Sequence, residues 1–119
     1  MIIDTVKMIH MGVTDMDKAK AFYVDTLGCT ATSDYGQDDK RWVSLSLPGG
    51  GTALNLTTFL ENLKPGTMKI YFSTSDLQAS YKALQEKGVA LASEITEEGW
   101  GTYFRLADPD GSTIMIVQS

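Results

Sequence analysis

The chain has one cysteine and one histidine among 119 residues, and each scarcity closes off a class of chemistry. The lone thiol, Cys29, allows no internal disulfide. With no second thiol or base near it in sequence, it reads as a small strand residue rather than a reactive nucleophile. The lone imidazole, His10, would stand nearly alone as a metal ligand. Long apolar runs are missing too: none approaches the roughly 18 residues of a membrane span. Asp4 stands where a signal peptide would want basic residues, so the expectation is a soluble, cytoplasmic protein. Positive charge is also short, with 10 Lys and Arg against 15 Asp and Glu for a net charge of -5. Nucleic-acid phosphates demand a basic face, so this balance argues against a nucleic-acid partner. It suits solubility and, weakly, the capture of a cationic small molecule.

What the chain does have is a repeat. Val13-Thr14-Asp15-Met16, followed by a helical pattern ending at Leu27-Gly28, returns as Thr74-Ser75-Asp76-Leu77 with a helical pattern ending at Lys87-Gly88. Trp42-Val43-Ser44-Leu45 and Pro48-Gly49-Gly50 return as Tyr103-Phe104-Arg105-Leu106 and Pro109-Asp110-Gly111, at a separation of about 61 residues. A unit of that length is too small to bury a core alone, so the halves must pack together or exchange between subunits. The expectation is one domain over 1–119, with modules at about 5–60 and 67–119 joined near Pro65-Gly66, and with the working site in the concavity they share.

Within each module the hydrophobic period changes in a fixed order. Lys7 to Thr14 alternates as a strand; from Asp15, an N-cap candidate, Ala19, Phe22, Tyr23 and Leu27 recur at helical spacing until Gly28. Short strand-like runs follow near Thr30 to Tyr35, Arg41 to Leu47 and Thr52 to Thr58. The second module repeats this with a strand at Met68 to Thr74, a helix at Asp76 to Lys87, and strands near Val89 to Ile95, Thr102 to Leu106 and Thr113 to Val117. The pattern is βαβββ twice, an α+β fold.

Period-two alternation divides each sheet into two faces. The helix-covered face takes Ile9, Met11, Val13, Val43, Leu45, Leu47, Ile70, Phe72, Phe104, Leu106, Ile114 and Ile116, with Phe22, Leu27 and Leu84 from the helices. The opposite face takes Met8, His10, Trp42, Ser44, Lys69, Tyr71, Tyr103, Arg105 and Met115, a blend of aromatic surface and a few polar heads suited to a ligand pocket. Trp42 and Tyr103 hold equivalent places in the two modules. Trp100, between Gly99 and Gly101, is poorly restrained by its own backbone and is expected to close over a planar ligand by stacking. Lys69 and Arg105 favour a carboxylate or phosphate, whereas Asp34, Asp38, Asp39, Glu97 and Glu98 would draw cations to the rim. His10 is open to three roles: a satisfied or half-exposed side chain, a hydrogen-bonding ligand contact, or a catalytic base or metal ligand.

The His10 strand with its Val13 and Asp15 end, the Phe22-Tyr23 pair before Leu27-Gly28, the Ser75-Asp76-Leu77 restart and the Asp108-Pro109-Asp110-Gly111 turn before an apolar strand resemble the vicinal oxygen chelate superfamily. This superfamily includes glyoxalases, bleomycin-resistance proteins and extradiol dioxygenases. The resemblance implies a cupped mixed β-sheet with helices on the outside, enclosing a metal or ligand, in a homodimer. The positions that the resemblance assigns to metal ligands fall on Met8, Lys69, Met115 and either Leu54 or Asn55, none of them an anionic ligand. Thioether sulfur is soft, and a lysine brings positive charge into the cation's place. The chain is thus most similar to the metal-lacking, bleomycin-resistance-like members. The function expected is metal-independent binding of an aromatic or mixed-polar small molecule, with no cofactor. The alternative is a lyase, isomerase or dioxygenase using a displaced metal site or acid–base chemistry at His10, Lys69 or Tyr71.

Overall fold

In each module the first strand lies parallel to the last, and the chain between them returns through a helix and two antiparallel strands. The computed structural model describes residues 2–37 and 40–119, so Asp38 and Asp39 of the expected acidic rim lie outside the described residues. The chain divides into two units, Met1–Pro65 and Gly66–Ser119. The first contains strand β1 (Met8–Gly12), helix α1 (Met16–Ala21), a π-helical turn (Phe22–Thr26), and strands β2 (Thr30–Gln37), β3 (Lys40–Ser46) and β4 (Ala53–Thr57). The second contains β5 (Lys69–Thr74), α2 (Leu77–Glu86), β6 (Thr96–Glu98), β7 (Gly101–Ala107) and β8 (Thr113–Gln118). The two four-stranded sheets have orders β1-β4-β3-β2 and β5-β8-β7-β6, mixed in the same way, which makes the chain an α+β fold of two tandem βαβββ modules. Among the described residues no helix is long and apolar enough to cross a membrane.

Local chemistry explains where the helices begin and end. Asp15 and Asp76 cap α1 and α2 by accepting from the backbone N–H of Lys18 and Ala79, at 3.2 and 3.0 Å. Gly88, at φ +77°, closes α2 with Val89 N–H bonded to the Leu84 carbonyl and Gly88 N–H to Gln85. The first helix reaches Leu27 as expected, but its second half widens into a π turn, with Leu27 N–H bonded to the Phe22 carbonyl. That turn carries Tyr23, which is fully buried, and its hydroxyl lies 3.5 Å from Met11 Sδ. Cys29 follows, buried, with its thiol pushed up by desolvation and so held in the unreactive protonated form.

The register carries the alternation across each sheet. Met11, Val43, Leu45, Leu54 and Leu56 bury one face of the first sheet with Met16, Ala19 and Tyr23. Phe104, Leu106, Ile114 and Ile116 bury the matching face of the second, where Tyr81 meets Phe104 edge-on at 5.2 Å. Val13 and Leu84 are buried too, and Phe22, Leu27, Leu47, Ile70 and Phe72 are half-buried. Ile9 is not core: it is 47% exposed, because β1 is an edge strand and α1 begins only after Val13. The strand expected over Val89 to Ile95 is also absent. Leu91 makes one bridge to Leu106, and the Ser93 hydroxyl then accepts the Arg105 N–H at 3.0 Å in place of a backbone carbonyl, so the ladder resumes only at Thr96.

Asp34 ties the first module's helix to its sheet. It accepts from Lys20 of α1 at 2.9 Å and from two nitrogens of Arg41 on β3 at 2.9 and 2.7 Å, and Arg41 also reaches Asp17 of α1 at 2.6 Å. Hydrogen bonds from Arg41 and then Lys20 hold the Asp34 carboxyl well below the usual carboxylate range. A pKa depressed by folding contributes stability that is complete above the unfolded value of about 3.9 and is lost as pH falls through the lower folded value. Asp34→Asn is expected to cost about 1 kcal/mol in urea unfolding at neutral pH, with the deficit shrinking as pH drops below about 4. A deficit that does not change with pH would show that the ion pairs contribute nothing.

Candidate functional site

The face of each sheet turned away from its helix carries the polar and aromatic side chains. In the first module, register places His10 beside Asn55 and Asn55 beside Ser44, with Trp42 beside Thr57 in the next row. The Trp42 indole N–H donates to Ser44 Oγ at 3.1 Å, and the Ser44 hydroxyl donates to Asn55 Oδ1 at 2.5 Å. Asn55 Nδ2 lies 3.5 Å from His10 Nδ1. Asn55 is fully buried, so an unpaired amide there would be costly; these partners supply what water cannot. Asn55 thus takes the position that sequence spacing left open, and Leu54 faces the helix-covered core. Above this polar row opens a concavity of about 510 Å³ lined by His10, Tyr35, Trp42, Thr57, Phe59, Glu61 and Leu63. Trp42 meets Tyr35 edge-on at 6.2 Å and His10 at a tilt at 6.3 Å, forming an aromatic wall.

In the second module the corresponding row is Tyr71, Met115 and Arg105 across β5, β8 and β7, with Lys69 and Thr113 in the next row of the same face. Here the concavity is about 290 Å³ and collects Lys69, Tyr71, Trp100, Tyr103, Arg105 and Met115, together with Glu98 and Thr113. The Lys69 ammonium sits 5.6 Å from the centre of the Tyr71 ring.

Trp100 differs from its expectation. The glycines beside it do not leave it loose: the ring stacks on Tyr103 at 5.0 Å with 16° between planes, and Tyr71 meets it edge-on at 5.8 Å. Glu98 fixes the pair, one carboxylate oxygen accepting the Trp100 indole N–H at 2.9 Å and the other the Tyr103 hydroxyl at 3.1 Å. Burial, and then the neighbouring Glu98 carboxylate, push the Tyr103 phenol above its ordinary pKa, so it remains a hydrogen-bond donor. Glu98 therefore serves as a clamp for two rings, not as a free acidic rim residue. Asp34 is likewise committed to Arg41 and Lys20.

Of the other expected site residues, Ser44 and Asn55 lie in the row beneath the first concavity and do not line it, and Met8, half-buried and paired with Ala53, lines neither concavity. Tyr35, Thr57, Phe59, Glu61 and Leu63 line the first concavity without having been expected there. Tyr35 is one strand over from Trp42 and could have been placed by pairing β2 with β3, whereas Phe59 to Leu63 lie in a segment without hydrophobic period. At the positions that the resemblance implies for it, the residues do not fit a divalent metal. The positions implied for it hold two thioethers, an ammonium and an amide already bonded to Ser44, and among the described residues no three His, Cys, Asp or Glu side chains cluster to hold an ion.

Against known proteins, the model of the Glyoxalase/Bleomycin resistance protein/Dioxygenase superfamily matches residues 3–116. The Bacillus subtilis (strain 168) protein YurT is 35% identical over 121 residues, covering 89% of this chain and 92% of its own length. The solved structure of TnmS3, an antibiotic binding protein from Streptomyces sp. CB03234, is similar with a TM-score of 0.89 at 33% identity, covering 99% of this chain and 98% of that one. A glyoxalase/bleomycin resistance protein/dioxygenase superfamily member from Sphaerobacter thermophilus DSM 20745 is similar with a TM-score of 0.85 at 28% identity, over 100% of both chains.

The clamp on Trp100 has a direct optical readout. In a Trp42→Phe background, where Trp100 is the sole tryptophan, Glu98→Ala is expected to raise acrylamide quenching about twofold and weaken the near-ultraviolet dichroism, at a stability cost of about 1 kcal/mol. Unchanged quenching would mean that stacking alone holds the ring.

Proposed function

The chain belongs to the Glyoxalase/Bleomycin resistance protein/Dioxygenase superfamily, and on that premise we propose that it is a metal-independent small-molecule binding protein that takes an aromatic ligand on the helix-free faces of its sheets. One observation carries the reading: solvent-reachable aromatic rings line a concavity of ligand size, and one of them, Trp42, is anchored to a buried hydrogen-bonded row behind it. Trp42, 36% exposed, is held by its indole N–H to Ser44, so its ring is oriented before any ligand arrives. A preoriented flat ring loses little freedom on stacking, which favours affinity for a planar partner.

The donor set supports metal independence. His10, the sole imidazole, lies beside Asn55, and the places a divalent ion would need hold Met8, Asn55, Lys69 and Met115. The likeness to TnmS3, an antibiotic binding protein, supports the same class of function. His10 and Trp42, with Ser44 and Asn55 behind them, in the first module, and Lys69, Tyr71, Trp100, Tyr103, Arg105 and Met115 in the second, are the side chains proposed to contact or support the ligand.

Tryptophan fluorescence of EDTA-dialysed protein, titrated with a panel of planar naphthalene and acridine compounds, tests this. Saturable quenching with the same Kd before and after chelation is expected, and Trp42→Ala should weaken binding by about tenfold. Binding that appears only on adding a divalent metal, or metal-restored turnover of a panel compound, would overturn the reading in favour of an enzyme.

A further inference from the structure

We propose that the second module's concavity is an oxyanion subsite, in which Lys69 and Arg105 seat the acidic group of an aromatic acid whose ring lies against Trp100 and Tyr71. The inference rests on the small-molecule reading above and adds the charge class of the ligand.

Cations are scarce in this acidic chain, and those of the first module that line the helix–sheet joint are spent on carboxylates: Lys20 and Arg41 on Asp34, and Arg41 on Asp17. Lys69 and Arg105 are different. Among the described residues neither forms an ion pair, yet both project from the same sheet face into one concavity. They sit on β5 and β7, the strands flanking β8, one row apart, so a group lying over β8 between them meets an ammonium from one side and a guanidinium from the other. The β8 residue level with Lys69 is Thr113, whose hydroxyl adds a donor at the same place. An ammonium, a guanidinium fork and a hydroxyl converging from three strands match an oxyanion, with the guanidinium able to bind two oxygens at once.

The one carboxylate in this concavity does not cancel that arrangement. Both oxygens of Glu98 are engaged by the Trp100 indole and the Tyr103 hydroxyl, so it holds the wall. With one carboxylate against two cations, the concavity keeps an excess positive charge. Next to it stand the exposed rings of Trp100 and Tyr71, whose edge-on contact leaves ring surface open to a planar partner. A volume of about 290 Å³ suits a bicyclic acid rather than a large polycycle.

The test uses four probes on one ring system: naphthoate, naphthyl phosphate, the neutral naphthamide and the cationic naphthylmethylammonium, each titrated into the whole protein by amide NMR at low salt. Naphthoate, naphthyl phosphate or both should bind at least tenfold more tightly than naphthamide, with the cation weakest, and the anion preference should fall as salt rises. The relative strength of the two anions tells carboxylate from phosphate. Lys69→Met and Arg105→Met should each bring the anion-to-amide affinity ratio to within about twofold of unity, whereas the charge-matched surface change Lys82→Met should leave it intact. Naphthamide binding as tightly as both anions, or the cation binding best, would overturn the subsite while leaving the small-molecule reading standing. Absence of binding by all four probes would overturn both.

Discussion

The parallel pairing of first strand with last in each module is the constraint from which the rest follows. Met8 opposite Ala53 and Lys69 opposite Thr113 set the register, and a one-residue slip would carry every side chain of the strand to the wrong face. With the register as it stands, Met11, Leu54, Leu56 and Val43 go under the first helix, and His10, Asn55 and Ser44 line up on the other side. The same rule applied sixty-odd residues later puts Ile114, Ile116 and Phe104 under α2 and leaves Tyr71, Met115 and Arg105 facing away. One backbone plan thus presents two rows of equivalent positions with different chemistry: a hydrogen-bonded row of His10, Asn55 and Ser44 in the first module and a row ending in a guanidinium in the second.

That difference explains how the two faces divide the work proposed for them. In the first, Asn55 is wholly buried, and its amide is satisfied by Ser44 and His10, so the row supports the Trp42 wall from beneath. In the second, Met115 occupies the matching place and needs no partner, and among the described residues Arg105 and Lys69 form no ion pair. Glu98 contributes rigidity by holding Trp100 and Tyr103 as a stacked pair. Asp34 draws its own charge partners away from both faces, to the joint between α1 and the sheet.

Much of this was legible in the sequence because strand alternation is a property of the backbone. The faces of His10, Trp42, Tyr71 and Arg105 could be assigned from period two alone. What could not be read depended on irregular backbone or on side chains reaching each other. The choice between Leu54 and Asn55 turned on how much of the glycine turn is absorbed, and Gly50 and Gly51, both at positive φ, absorb the extra residue there. Asp34 looked like an exposed acid because its partners lie 7 residues away on the next strand and 14 residues away on α1. Trp100 looked loose because its glycine neighbours were visible and its clamp, a carboxylate two residues earlier, was not recognisable as one. Phe59 and Leu63 join the first concavity from a segment without periodicity, so no pattern pointed to them.

The central claim is that the helix-free faces hold an aromatic molecule without metal. It is tested most directly by mapping the indole and amide NMR shifts of chelator-treated protein as a planar aromatic compound is added. Perturbations centred on the Trp42 and Trp100 indoles and on β3, β4, β7 and β8 are the expected result. Perturbations confined instead to the groove of Tyr81, Gln85 and Val89 beside α2, or binding lost with chelator and restored by a divalent ion, would contradict it.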